Sequence, residues 1–182
     1  VLVGHYIDDA IFSAESVLDR MHEGRLRGLQ QMGLYPGSIG TAEVFLRDDR
    51  KVPGAIVVGL GPVGELRPGD LVTAVASGLQ RYAAIMAERP SGDRPVGITR
   101  LPVTVLLVGT TSGGFSIADA VLAILRGTRQ AAAVLRQSRY CSFLQYAELA
   151  IMELFEDRAI QAAHELRRLA KLPEFQGEFT VT

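Results

Sequence analysis

"AIVVGLGPVGEL" (residues 55–66) decides how this chain is read. An apolar, β-branched run ends in Gly59, Gly61 and Gly64, which spell G-x-G-x-x-G. A dinucleotide loop has that spelling, but it also needs a helix opening within the motif, so that the first N–H groups meet the pyrophosphate. Here "ELRPGD" follows, and Pro68 with Gly69 delay the next helix by about five residues. The fingerprint also calls for an acidic strand end about 20 residues on, where this chain has Arg81 in mid-helix. No nicotinamide or flavin cofactor is therefore expected. The glycines are expected to permit a tight turn where a buried strand ends.

Working outward, "VLVGHY" (1–6) reads as a buried strand and "TAEVFL" (41–46) as a strand that turns through 48–54 into 55–60. "SAESVLDRMHEG" (13–24) reads as a helix capped by Ser13 and stopped by Gly24, with Val17, Leu18 and Met21 on one face. Residues 33–40 and 90–97 are rich in Gly and Pro and read as loops. Residues 69–89 form a long helical pattern through Leu71, Val72, Val75, Leu79, Tyr82, Ala83 and Met86. "PVTVLLVG" (102–109) is a second central strand. The helix of 116–137 turns Ile117, Val121, Ile124 and Leu125 inward and opens on a Ser116/Asp119 capping box. Residues 146–155 read as a strand, 156–172 as a helix and 178–182 as a final strand. Strands that alternate with helices predict a single α/β domain over 1–182: a mixed, mostly parallel sheet in three α/β/α layers.

The 182 residues are 48% hydrophobic and 21% charged, which describes a folded domain. The net charge of −1 gives no reason to expect nucleic acid or a membrane surface as partner. Arg25, Arg27, Arg167, Arg168 and Lys171 are candidates for a local basic patch, though solvated helix faces explain them more simply. Cys141 is the single cysteine, so no internal disulfide forms, which suits a reducing cytoplasm. Nothing around it suggests the base and oxyanion site a nucleophile needs. His5, His22 and His164 show no metal-binding spacing, so no metal is expected. A chain opening at Val1 within a strand pattern is expected to be a segment of a longer protein.

Ligands of such sheets bind beyond the carboxyl ends of the strands, here the loops 5–12, 59–69 and 109–116. "VGTTSGGFSIADA" (108–120) is the better anion loop. Gly109, Gly113 and Gly114 leave N–H groups uncovered, Thr110, Thr111 and Ser112 add hydroxyls, and a capped helix follows. It lacks the Gly-Lys-Ser/Thr of a Walker loop. His5 with Asp8 or Asp9 could do acid–base work; the simpler reading is a strand-end histidine tied to backbone.

Residues 40 to 135 resemble the N-terminal domain of the leucine (cytosol) aminopeptidase family. "GTAEVFL", "AIVVGLGPVGEL", "LVTAVASGLQRYAAIM" and "VLLVGTTSGG" follow that domain's order of elements. The resemblance implies a macro-domain-like fold. The family's two-metal peptidase chemistry lies in a separate C-terminal domain, and its motifs are absent here. "GHYIDDAIFSAESVLD", "GLYPGSIGTAEVFL" and "ELFEDRAIQAA" also resemble a module of large bacterial proteins with caspase-like protease or hydrolase domains. Macro domains bind ADP-ribose with a Gly-rich loop on the diphosphate, to which 109–115 is similar, and an Asp on the adenine, for which Asp8 and Asp9 are placed.

The expected function is a cytoplasmic, non-catalytic accessory domain. It would position or regulate neighbouring domains of the same polypeptide, with self-association as one route. The alternative is a module binding a nucleotide or ADP-ribose-like molecule. That ligand would sit on Asp8, Asp9, Gly59, Gly61, Gly109, Thr110, Thr111, Ser112, Gly113 and Gly114.

Overall fold

The computed structural model describes residues 1–47, 53–89, 97–110 and 114–182. Its centre is the run that opened the sequence: β3 (Ala55–Gly59), buried along its whole length. β1 (Leu2–His5) pairs with it in parallel, Leu2 opposite Ile56 and His5 opposite Gly59. β2 (Ala42–Phe45) pairs antiparallel on the other side, Ala42 opposite Val58. β4 (Thr99–Leu106) and β5 (Leu144–Met152) complete a five-stranded sheet in the order β2-β3-β1-β4-β5, parallel except for β2. The β4–β5 register shifts between Leu101 and Pro102, where proline has no N–H for the ladder.

The helices α1 (Ser13–Met21) and α2 (Arg25–Gln31) cover one face; α3 (Pro68–Glu88), α4 (Ile117–Gln137) and α5 (Glu156–Leu169) cover the other. Strand alternation enforces this split. Leu2, Ile56, Val58 and Val105 point to the α3–α5 side, and Val3, Ala55 and Val57 to the α1–α2 side. The α3–α5 core holds 24 buried residues among those described, from Leu2 to Phe175. The α1–α2 core holds seven: Val3, Ile11, Leu18, Leu26, Phe45, Ala55 and Val57. The fold is thus the three-layer α/β/α sandwich with a mixed, mostly parallel sheet that the alternation predicts.

Several local readings change. Ser13 does not cap α1: Phe12 is the N-cap residue, and Ser13 is its first helical residue, with φ of 50°. α1 ends at Met21, and Gly24, with φ of 78°, starts a further helix that periodicity missed. The inward face of α1 is Glu15, Leu18, Asp19 and His22, whereas Val17 and Met21 are each about two-fifths exposed. Apolar periodicity misleads here because the buried face is largely polar. β4 starts earlier than expected, β5 ends at Met152 and α5 at Leu169. Residues 178–182 form no strand. A short 3-10 turn, Pro173–Phe175, instead buries Phe175 completely and sets its ring 5.8 Å from Phe179. The Ser116/Asp119 box is present, with Asp119 N–H donating to Ser116 Oγ at 3.1 Å.

The end of β3 explains its glycines. A Cβ on Gly59 would overlap the Ser38 carbonyl and stand 2.5 Å from Thr41 Oγ1 and 2.7 Å from the Gly37 carbonyl carbon. Gly64, with φ of 83°, has open space around it. Gly59→Ala is therefore expected to destabilise the fold by about 3 kcal/mol through overpacking. Gly64→Ala should cost only the roughly 1 kcal/mol of a left-handed backbone. Urea unfolding of the two variants measures the difference; equal losses would show that the turn at 37–41 does not press on Gly59.

Candidate functional site

The carboxyl ends of β1, β3 and β4 lie side by side, as the sheet order requires. The turn Gly37–Thr41 closes over the first two. Its Thr41 Oγ1 donates to Ser38 O at 2.6 Å and accepts from Gly37 N–H at 3.2 Å. Gly59 N–H donates to Thr41 O (2.9 Å), Gly61 N–H to Gly37 O (2.8 Å) and Leu60 N–H to His5 O (2.9 Å). Ile7 N–H in turn donates to Gly61 O at 3.0 Å. The amides that a pyrophosphate would use in a dinucleotide loop thus serve this protein's own backbone. α3 starts only at Pro68, with Asp70 accepting from Arg67 N–H at 3.0 Å. A recess of about 580 Å³ lies beside Gly64, Glu65, Leu66, Arg67 and Asp70.

His5 does not pair with Asp8 or Asp9. Its Nδ1 lies 3.1 and 3.2 Å from the two carboxylate oxygens of Glu15, and Tyr35 OH donates to Glu15 Oε1 at 2.8 Å. The Tyr35 ring stands edge-on to the imidazole at 4.7 Å. His5 and Glu15 are both buried. Burial, and then the Glu15 carboxylate, push the Tyr35 hydroxyl far above the ordinary tyrosine range. Asp8 is exposed with φ of 60°. Asp9 Oδ1 accepts from Ala10 N–H at 2.9 Å, and its carbonyl accepts from Gln30 Nε2 at 2.8 Å. Tyr6 OH is buried with no hydrogen-bond partner among the described residues; burial, then Asp9, raise its pKa.

At the end of β4, Gly109 takes φ of 86° and its carbonyl accepts from Phe115 N–H at 3.0 Å. Thr110 Oγ1 donates to Leu107 O at 3.3 Å and accepts from the Arg158 guanidinium. Arg158 also donates to Glu153 Oε2 at 3.0 Å, while Glu153 Oε1 accepts from Leu154 and Phe155 N–H just ahead of α5. Burial opposes ionisation of Glu153, but these bonds outweigh it and hold its pKa below the usual value. Gly114 has φ of 67° and open space around it. Thr111, Ser112 and Gly113 lie outside the described residues. The structure therefore brings Gly59 and Gly61 beside the β1 end and sets Gly109 and Thr110 at the end of β4.

Sequence reasoning missed Glu15, Tyr35, Asp19 and Arg158. Only the spacing of Glu15, Asp19 and His22, which share a helical face, could have revealed part of this. Asp19 Oδ1 accepts from Arg27 N–H at 3.1 Å and Oδ2 from Arg27 Nη1 at 3.0 Å, so a buried carboxylate caps α2. The arginines and lysine considered for a patch are divided: Arg25 and Arg27 lie on α2, Arg167 and Arg168 on α5 across the sheet, and Lys171 just beyond α5. Among the described residues no cluster of His, Cys, Asp and Glu could hold a metal.

Glu15→Leu would leave His5 Nδ1 and Tyr35 OH without their shared acceptor and is expected to cost about 3 kcal/mol. Tyr35→Phe removes one bond and should cost about 1 kcal/mol. Denaturant midpoints check both; two losses under about 0.5 kcal/mol would mean that the trio carries no stability.

No family model matches the sequence. It is 30% identical over 141 residues to a probable cytosol aminopeptidase of Xylella fastidiosa (strain 9a5c). The alignment covers 76% of this chain and 27% of that protein, so the chain spans about a quarter of its relative's length. An Oceanobacillus iheyensis macrodomain with MES bound has a similar fold, with TM-score 0.54, 12% identity, and coverage of 93% of this chain and 85% of its own. The bottromycin maturation enzyme BotP aligns with 94% of this chain and 32% of its own at TM-score 0.47 and 18% identity. The chain is thus similar in sequence to part of a cytosol aminopeptidase and similar in fold to a macrodomain.

Proposed function

We propose that this domain is a non-catalytic accessory unit of a larger bacterial, cytoplasmic protein, positioning or regulating the enzymatic domains beside it. The observation that carries this reading is the extent of the match: three-quarters of this chain aligns with only about a quarter of an aminopeptidase. The site geometry agrees. His5 and Glu15 are buried in a hydrogen-bonded trio, Gly59 and Gly61 serve the sheet, and Arg158 braces the β4 loop. Self-association is one way such a unit acts. Protease or hydrolase domains of caspase-like type are the alternative neighbours to a peptidase. Among the described residues, no helix is long and apolar enough to cross a membrane.

A second reading keeps the macrodomain fold's habit of binding at the strand ends. In it a nucleotide or ADP-ribose-like molecule sits on Asp8, Asp9, Gly59, Gly61, Gly109, Thr110, Thr111, Ser112, Gly113 and Gly114. The partly open turn at Gly114 favours it; the engaged amides of Gly59 and Gly61 do not.

The test deletes residues 1–182 from the full-length protein and reads its mass by light scattering and the turnover of its enzymatic domains. The accessory reading predicts an intact catalytic centre with altered assembly or regulation; no change in either contradicts it. Calorimetry of the full-length protein with ADP-ribose separates the second reading, which requires binding tighter than about 1 mM, or roughly −4 kcal/mol.

A further inference from the structure

The buried polar side chains among the described residues are His5, Glu15, Asp19, His22 and Thr128. Four of them are ionisable side chains, and all four lie on α1, just past its end or facing it from β1. Among the described residues the α3–α5 layer has no buried histidine or carboxylate. One helical layer is therefore held by apolar packing, and the other by a small core plus ionisable groups.

His22 differs from the other three. His5 faces the Glu15 carboxylate, and Asp19 faces Arg27. His22 Nε2 donates to Pro53 O at 3.0 Å, and its Nδ1 is buried with no partner among the described residues. Among the described residues the charges that act on it are Arg25 from α2, Arg47 beyond β2, itself ion-paired with Glu23, and the amino terminus beside β1; the Phe45 ring lies 6.1 Å away. A second N–H on this ring would find no acceptor among the described residues and would meet like charge.

We propose that the α1–α2 layer is released by acid: when Nδ1 of His22 takes a proton from solvent, residues 13–31 leave the sheet as a unit while the α3–α5 layer stays folded. The sign follows from linkage. Burial, more than the neighbouring cations, keeps the docked imidazole below its ordinary value of 6.5, with the Pro53 bond acting against it. The released layer therefore binds more protons, and docking weakens as pH falls through that value. Seven buried residues hold this layer against 24 on the other face, so it is the weaker unit. Release uncovers Val3, Val57 and Phe45 on the sheet.

Hydrogen exchange read by mass spectrometry at about pH 7.5 and about pH 5, corrected for intrinsic rates, tests this. Peptides covering 13–31 should lose at least about tenfold of their protection at the lower pH, while α3 and α4 keep theirs. His22→Gln keeps a donor for Pro53 O but cannot take the proton, and should hold the layer closed. Uniform loss across the chain, no loss at all, or equal loss in H22Q overturns the proposal. Should H22Q not fold, the wild-type imidazole resonances decide: His22 must titrate together with release, and independent titration overturns the proposal.

Discussion

The backbone of Gly37–Thr41 rests directly against Gly59, and the rest of the sheet's carboxyl edge follows from that contact. A side chain at Gly59 would strike the turn. With none there, Thr41 O and Gly37 O take the amides of Gly59 and Gly61, and Gly61 O takes that of Ile7. One turn thus joins the ends of β1 and β3 and starts β2 at Ala42 in antiparallel register. Backbone groups at a buried edge must find partners, and here a loop of the same chain supplies them.

The two faces of the sheet are stabilised differently. Toward α3–α5, long Leu- and Ala-rich helices press on Leu2, Ile56, Val58 and Val105. At that layer's outer edge, Arg126 grips Glu174 with two bonds of 2.8 and 3.1 Å, and Arg129 stacks over Phe175 at 5.6 Å. Toward α1–α2, a small apolar set is supplemented by Glu15, Asp19, His5 and His22. Such groups specify geometry strongly but add less net stability than apolar packing, because each loses its hydration on burial. The polar layer fixes where α1 and α2 sit; the apolar layer supplies most of the driving force.

The sheet and its long helices were legible because their residues obey simple periodicities. β3 is uniformly apolar, α3 repeats Leu71, Val75 and Leu79 inward, and α4 carries its own cap in Ser116. The delay from Gly64 to Pro68 was enough to argue against a dinucleotide loop. The α1–α2 layer was not legible. A helix that buries Glu15, Asp19 and His22 while exposing Val17 and Met21 inverts the usual pattern. Its partners, Tyr35 and Arg27, are identifiable only once the chain is folded. The same holds for Arg158, 48 residues beyond Thr110. Residues 178–182 form no strand, because the segment is held instead by Phe175, buried in the core, and Phe179, packed against it.

The most direct test of the central claim is an NMR titration of backbone amides with a dinucleotide such as NADH. Gly59 and Gly61 are predicted to exchange slowly in the free protein and to keep their chemical shifts up to millimolar ligand, because their N–H groups already hold Thr41 O and Gly37 O. Fast exchange at both, with saturable shifts on adding the dinucleotide, would contradict the account.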